Sequence, residues 1–331
     1  MSLINPSVSV IIPSFNHEKF VAEAIESVLN QSFTDFELII IDDGSKDRSI
    51  GIIREFVKKD PRIKFFSQDN QGSHSAINKG ISLSNGKYVA ILNSDDRFHP
   101  DRLAILVDTI KEQQKKFLIT AVNLIDQEGS IIEDESHWWL NSYQKSINQY
   151  IDFGYKKAIS NTNFSASTSN FFFEKEFYLK KIGPLRPLRY VLDWDYLFRA
   201  VYISPENFFF LFDKKLLDYR IHGNNTILSG SIRASLETNA LLKRITIAYV
   251  PEAEPYILNI KKNLRFLHRE HLLFKQSEAN QYFNDSQAYI KKLERVIAEK
   301  DQALSIFQSS FLIRAIAFFK RKLVIRNENK N

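Results

Sequence analysis

The feature that most constrains this chain is a regular alternation, over residues 8 to 123, of short β-rich runs with amphipathic helical segments. "VSVII", "FELIIID", "RIKFF", "KYVAIL" and "FLITAV" read as strands; "KFVAEAIESVLNQ", "RSIGIIREFVKK", "SAINKGISLS" and "PDRLAILVDTIKEQQ" read as the helices between them. Strands joined through helices of this length predict an α/β fold with a mostly parallel sheet and right-handed crossovers. In such sheets ligands collect beyond the carboxyl ends of the strands. Three loops leave those ends here: "PSFNHE", "DDGSKD" and "NSDDRFHP".

Residues 124 to 230 are less regular. "EGSII" reads as a hairpin, "NFSASTSNFFF" as a strand with polar alternation, "EKEFYLKKIG" as a short helix ended by Gly183, and "DWDYLFRAV" as a helix with Asp193 near its start. "NFFFLF" and "KLLDYRIHG" return to strand composition. This region is expected to complete one domain, residues 1 to 230, by covering the ligand edge of the sheet.

From residue 231 the chain reads as a helical, basic extension. It carries 18 Lys and Arg against 10 Asp and Glu, so it alone accounts for the positive sign of the overall +6. A charge confined to a tail argues against nucleic acid as a partner of the folded domain. Ile290, Leu293, Ile297, Leu304, Phe307 and Phe311 recur at coiled-coil or docking-helix spacing, interrupted at Lys300, and "FLIRAIAFFKRKLVIR" is apolar with a basic end. That composition suits self-association, packing on the catalytic domain, or peripheral contact with a membrane surface. No apolar run reaches the roughly 20 residues of a bilayer span. With no cysteine, disulfides and thiolate metal sites are excluded, which suits a cytoplasmic setting.

The loops carry the chemistry. There is no G-x-G-x-x-G after the first strand, no P-loop and no zinc motif; what stands at the strand tips is carboxylates. Two adjacent acids, Asp95 and Asp96, end an apolar strand, and their repulsion calls for a cation or strong donors. Oxygen-rich sites of this kind hold Mg²⁺ or Mn²⁺ with positions left open for phosphate oxygens. A nucleotide diphosphate held through a divalent ion fits, with Asp43 accepting an imide N–H of the base and Pro13 and Phe15 packing beside it.

"VSVIIPSFN", "AIESVLNQSFTDFELIIIDDGSKD", "NQGSHSAINKG" and "YVAILNSDDRFHPDRL" resemble, in order, the signatures of family 2 glycosyltransferases, which share the GT-A nucleotide-sugar fold; the likeness resumes at "KIGPLRPLRYVLDWDYLFRA" and "YRIHGNN". The resemblance implies that Asp43 binds a uracil-type base, with Phe15 stacking and Pro13 bordering it, and that Asn93 and Ser94 line the donor. It implies Asp95 as the metal ligand, His222 as a group reaching the metal or diphosphate, and Asp193 as the catalytic base, with Asp195 the alternative. Two departures stand out: Asn93 replaces the first acid of the family's D-x-D, and Leu192 replaces a Glu that often precedes the base. Trp194 could serve as a sugar platform, whereas Trp138 and Trp139 read equally well as core.

The implied activity is inverting, metal-dependent transfer of a sugar from a nucleotide-sugar, of UDP type, to a hydroxyl on a glycan or lipid-linked acceptor, in polysaccharide or glycan synthesis. Two alternatives are a non-catalytic scaffold, favoured by Asn93 and Leu192, and a sugar-phosphate nucleotidyltransferase. The latter needs a Gly-rich, Arg-containing loop that "PSFNHEKF" does not supply.

Overall fold

The computed structural model describes residues 5–223, 225 and 232–249. Contacts divide the chain into two compact units, residues 1–237 and 238–331. The expected helical seam over 290–311 and the basic end lie outside the described residues. Among the described residues no helix is long and apolar enough to cross a membrane.

The first unit is built on an eight-stranded sheet. Its strands are β1 (Val8–Ser14), β2 (Phe36–Asp42), β3 (Ile63–Ser67), β4 (Tyr88–Ile91), β5 (Arg97–Phe98), β6 (Phe117–Ile125), β7 (Phe172–Glu174) and β8 (Phe208–Arg220), in the order β3-β2-β1-β4-β7-β6-β8-β5. Its helices among the described residues are α1 (Val21–Leu29), α2 (Ser49–Lys59), α3 (Ser73–Leu83), α4 (Arg102–Glu112), α5 (Trp138–Asn161), α6 (Lys175–Phe177) and α7 (Leu192–Ile203); a further helix, α8 (Ile232–Tyr249), runs across the boundary at residue 237.

The expected strands and helices of residues 8 to 123 form where the periodicity placed them. β1, β2, β3 and β4 pair in parallel, as helical crossovers require. All seven residues of β1 and all seven of β2 are buried, which is why these strands are near-continuous apolar runs rather than alternating ones. Beyond β4 the sheet reverses at β7, which lies antiparallel to both β4 and β6, so four of the seven pairings are parallel.

Register brings the three loops to one edge. Ser14 pairs with Asp42 and Ile11 with Ile91, so the chain leaves β1, β2 and β4 side by side. Arg97 of β5 pairs with Asp218 of β8 in antiparallel fashion. The residues before Arg97 therefore run beside those after Asp218, which delivers His222 to Asp95.

One expectation for residues 124 to 230 needs correction, and one helix was not expected. "NFSASTSNFFF" is not one strand: a loop leads into a 3-10 turn at Thr168–Asn170, and only Phe172–Glu174 pair as strand. The serines, threonine and asparagines there direct most of their side-chain hydrogen bonds to other segments, at Asn93, Asp96, Thr120 and Asp193. "NFFFLF" and "KLLDYR" belong to one long strand, β8, whose register on β6 shifts around Ala121. The 24-residue α5 was not signalled by any clean periodicity, being polar along much of its length and broken at Gly154, whose φ of 75° is non-helical.

Helix α3 packs onto β1 through Gly80, where an added Cβ would lie 2.4 Å from Ile11 Cγ2. Ile11 is β-branched and fully buried, so it cannot turn aside. Gly80→Ala is expected to lower unfolding free energy by about 1–3 kcal/mol in urea titration through overpacking, although alanine is the better helix former; a neutral or stabilising result would contradict this packing.

Candidate active site

Two imidazoles and one carboxylate converge at the carboxyl edge of the sheet. His17 follows β1, Asp95 follows β4 and His222 follows β8; one ligand atom from each lies within 4.8 Å of the others. Nε2 of His222 is 3.1 Å from Asp95 Oδ2, and Nε2 of His17 is 3.9 Å from the same oxygen. Burial opposes ionisation of Asp95, but the His222 hydrogen bond and the charges of His17 and His222 outweigh it and hold its carboxyl below the usual range. An ionised carboxylate with two imidazoles whose ligand atoms lie this close together fits a divalent first-row ion with room for further oxygen ligands.

Asp96 faces the other way. It is 1% exposed, its Oδ2 accepts from Ser169 Oγ at 2.5 Å and its Oδ1 from the Arg220 backbone N–H at 3.0 Å. Burial and the charge of Asp95 push its carboxyl well above the usual range, against the pull of those donors. The adjacent acids thus coexist because each has a different environment. Asp96 ties the loop to the protein, and Asp95 is left for the cluster.

Asn93 is equally committed. Its Nδ2 donates to Ser167 Oγ at 3.0 Å and its Oδ1 accepts from Thr168 Oγ1 at 3.0 Å, while its backbone N–H reaches Ser169 Oγ. A carboxylate there could not donate to Ser167, so the neutral side chain suits this loop. Ser94 is buried, and its hydroxyl lies 2.8 Å from His17 Nδ1.

The β1 and β2 tips are built differently. Pro13 is buried inside β1, while Phe15, just beyond the strand, is 41% exposed. Asp43 is buried, with Oδ1 accepting from Gln68 Nε2 and the Gln71 N–H and Oδ2 from the Gly72 N–H at 2.7 Å. One of its roughly four acceptor positions is left over. Asp42 closes the turn, accepting from the Gly44 and Ser45 N–H groups.

Asp193 and Asp195 open α7 with contrasting surroundings. Asp195 is fully buried and ion-paired to Arg199 at 2.9 Å and Arg186 at 3.0 Å; it is a brace. Asp193 is held by amides instead: Oδ2 accepts from Asn163 Nδ2 at 2.7 Å and Oδ1 from the Trp194 N–H at 2.8 Å. Burial raises its carboxyl to about 6, opposed by those two donors.

The charges of Asp193 and of the metal loop are both felt at Tyr219. Burial and then the charges of Asp96, Asp95 and Asp193 all raise its phenol well above the ordinary value. A second link runs along the chain: Asn163 holds Asp193 and Ser165, while Ser167, Thr168 and Ser169 hold Asn93 and Asp96. Within that strap Ala166 adopts φ 69°, a left-handed conformation uncommon for alanine.

The model of the family described as "Glycosyl transferase family 2" matches residues 9–177, just over half the chain. The chain belongs to the family 2 glycosyltransferases. Chondroitin synthase of Escherichia coli is 33% identical over 189 residues, 55% of this chain and 27% of that protein. A teichuronic acid biosynthesis glycosyltransferase of Bacillus subtilis, TuaG, described as putative, is 35% identical over 133 residues, 40% of this chain and 53% of that protein. The match therefore spans about a quarter of the first relative and half of the second. Among solved structures, residues 1–349 of Staphylococcus aureus TarS in complex with UDP-GlcNAc align with TM-score 0.56 at 17% identity, covering 73% of this chain and 66% of that one. A Pyrobaculum calidifontis mannosyltransferase with GDP-Man and Mn²⁺ aligns with TM-score 0.53 at 12% identity, covering 92% and 86%. These likenesses establish the GT-A fold of this family 2 glycosyltransferase.

The sequence reading missed His17, whose position in the loop after β1 carried no spacing relation to Asp95 or His222. It also offered Trp194 as a sugar platform; the indole is 7% exposed and donates Nε1–H to Ile159 O, so it braces α5 against α7. Trp139 is core, stacked between Tyr143 at 4.9 Å and Tyr219 at 5.1 Å, whereas Trp138 is half exposed. Asn93→Asp is expected to lower the stability of this family 2 glycosyltransferase by about 1–3 kcal/mol, because Ser167 loses its donor and a charge is added beside two acids. An unchanged denaturation midpoint would show that the amide is not needed.

Proposed function

We propose that the protein transfers a sugar from a UDP-sugar to a hydroxyl acceptor with inversion, dependent on a divalent metal, in the synthesis of a polysaccharide or related glycan. The observation that carries this reading is that one segment, residues 163–170, hydrogen-bonds both Asp193 and the Asn93–Asp96 loop whose Asp95 joins the His17–His222 cluster, which supports a donor and an acceptor placed side by side.

For the nucleotide, Phe15 offers an exposed ring and Asp43 one remaining acceptor position. That capacity matches the single imide N–H of uracil better than the paired donors of guanine, and the TarS complex with UDP-GlcNAc is consistent with it. Asn93 and Ser94 shape the loop that lines the diphosphate without being free to bind it. The metal, Mg²⁺ or Mn²⁺, would be held by Asp95 and His222 with His17 beside them, and when bound it offsets charge on the departing diphosphate.

The acceptor hydroxyl needs a base within about 2.6–3.2 Å. Asp193 suits this task because a carboxylate of pKa about 6 is ionised at neutral pH yet basic enough to hold a proton. Attack from the face opposite the diphosphate then inverts the anomeric centre. Asp195, tied to two arginines, lacks that freedom. The acceptor is proposed to be a growing glycan or a lipid-linked one, and the basic composition of residues 231–331 supports a peripheral seat on an anionic membrane or self-association.

Turnover measured with a panel of nucleotide sugars tests the reading: UDP-sugars support transfer and chelation abolishes it. Asp193→Asn retains UDP binding in a thermal-shift assay while transfer falls by about 10² or more; near-normal turnover would remove Asp193 from the role. Because the base must be deprotonated, the wild-type rate rises with pH through about 6 and levels above it. A rate that instead falls through that range would contradict a carboxylate base.

A further inference from the structure

We propose that His17 is a third protein ligand of the metal and that it sets the identity of the ion, selecting Mn²⁺ over Mg²⁺. This rests on the metal-dependent reading above and deepens it.

His17 is held on every side. Its backbone N–H donates to Ser49 Oγ at 3.0 Å, and its carbonyl accepts from the Phe20 and Val21 N–H groups that open α1. The ring meets Phe20 and His222 edge-on, at centroid separations of 6.1 and 5.7 Å, and Phe20 in turn packs on His222 at 4.8 Å. Nδ1 is engaged by the buried Ser94 hydroxyl at 2.8 Å. That leaves Nε2 as the nitrogen for the cluster, and it lies 3.9 Å from Asp95 Oδ2. A fixed second-nitrogen partner is the usual companion of a metal-bound imidazole, because it sets both tautomer and ring orientation. The His17 side chain is 23% exposed, Asp95 14% and His222 3%, so the cluster is sheltered yet open to a ligand.

The ion follows from the donors. Asp95 with His222 alone offers one oxygen and one nitrogen, a set that Mg²⁺ and Mn²⁺ can both complete with water and phosphate oxygens. Adding His17 makes two nitrogens. Mg²⁺ demands near-ideal octahedral oxygen coordination and dehydrates reluctantly, whereas imidazole suits first-row transition ions. Each imidazole that displaces an oxygen therefore costs Mg²⁺ more than Mn²⁺, and the preference depends on His17.

Metal binding to the full-length protein, followed by the loss of the free Mn²⁺ resonance signal and by Mg²⁺ competition without any nucleotide, reads this directly. Wild type should bind Mn²⁺ at least about tenfold more tightly than Mg²⁺. His17→Ala, assayed well below its own unfolding midpoint, should weaken Mn²⁺ about tenfold or more and shrink the Mn²⁺/Mg²⁺ ratio. His17→Asp should restore binding with the ratio moved toward Mg²⁺. Unchanged Mn²⁺ affinity in His17→Ala, or equal wild-type affinity for the two ions, would overturn the proposal. Asp95→Ala separates the two levels: if it abolishes Mn²⁺ binding while His17→Ala does not, only the role of His17 fails. If neither variant changes binding, the metal reading of the site fails with it.

Discussion

The site depends on one buried cation. Arg220 is 1% exposed, and its guanidinium donates to the carbonyls of Asp95, Asp126 and Gln127 and to the Glu23 carboxylate, while its backbone N–H binds the Asp96 side chain. One residue thus gathers α1, the loop after β4, the turn after β6 and the end of β8. Arg97 extends the network by bridging Glu23 and Asp218. Burying a guanidinium is costly unless its hydrogen bonds are made, and here they are made to the loop that carries Asp95. The cost of burial is offset only when this loop has its native shape, so the ion network specifies the loop as much as it stabilises it.

A second buried cation supports the opposite flank. Arg102, fully buried and lowered to about 9 by desolvation, donates to Thr120 Oγ1 and to the Asn170 carbonyl, each at 3.0 Å. Asn170 closes the 3-10 turn whose Ser169 holds Asp96. The acids accordingly differ by surroundings rather than by type. Asp195 is neutralised by arginines, Asp96 is anchored by a hydroxyl and an amide, Asp95 meets imidazoles, and Asp193 has amide donors with its carboxyl raised to about 6. In the proposed reaction this division separates structural carboxylates from the metal ligand and the base.

Much of this was legible in the sequence, for physical reasons. The β-rich runs and 3.6-residue periodicity of residues 8 to 123 report burial, and burial is what the sheet consists of. Asp43 and Asp95 stood out because carboxylates at strand tips need an explanation, whereas Asp193 stood out through the resemblance to family 2 glycosyltransferases; the roles of all three are proposals. Asp195 carried a sequence signal of its ion pair, since Arg199 follows at the i,i+4 spacing of a helix. His17 was not legible, because its meeting with Asp95 and His222 is made by strand register across most of the sheet. Nor was α5, whose helical pattern is diluted by polar residues and interrupted at Gly154. The strap from Asn163 to Asn170 looked like a strand because its polar alternation mimics period two, yet its side chains are spent on Asn93, Asp96 and Asp193.

The central proposal is spatial: an ion at Asp95 and a proton acceptor at Asp193 would face one cleft and hold a nucleotide-sugar between them. A crystal structure of the protein with Mn²⁺ and a non-transferable UDP-sugar analogue tests it most directly. The account predicts the ion on Asp95 and His222, the uracil against Phe15, and the anomeric carbon turned toward Asp193. An ion or nucleotide seated elsewhere, or a sugar whose reactive carbon points away from Asp193, would contradict it.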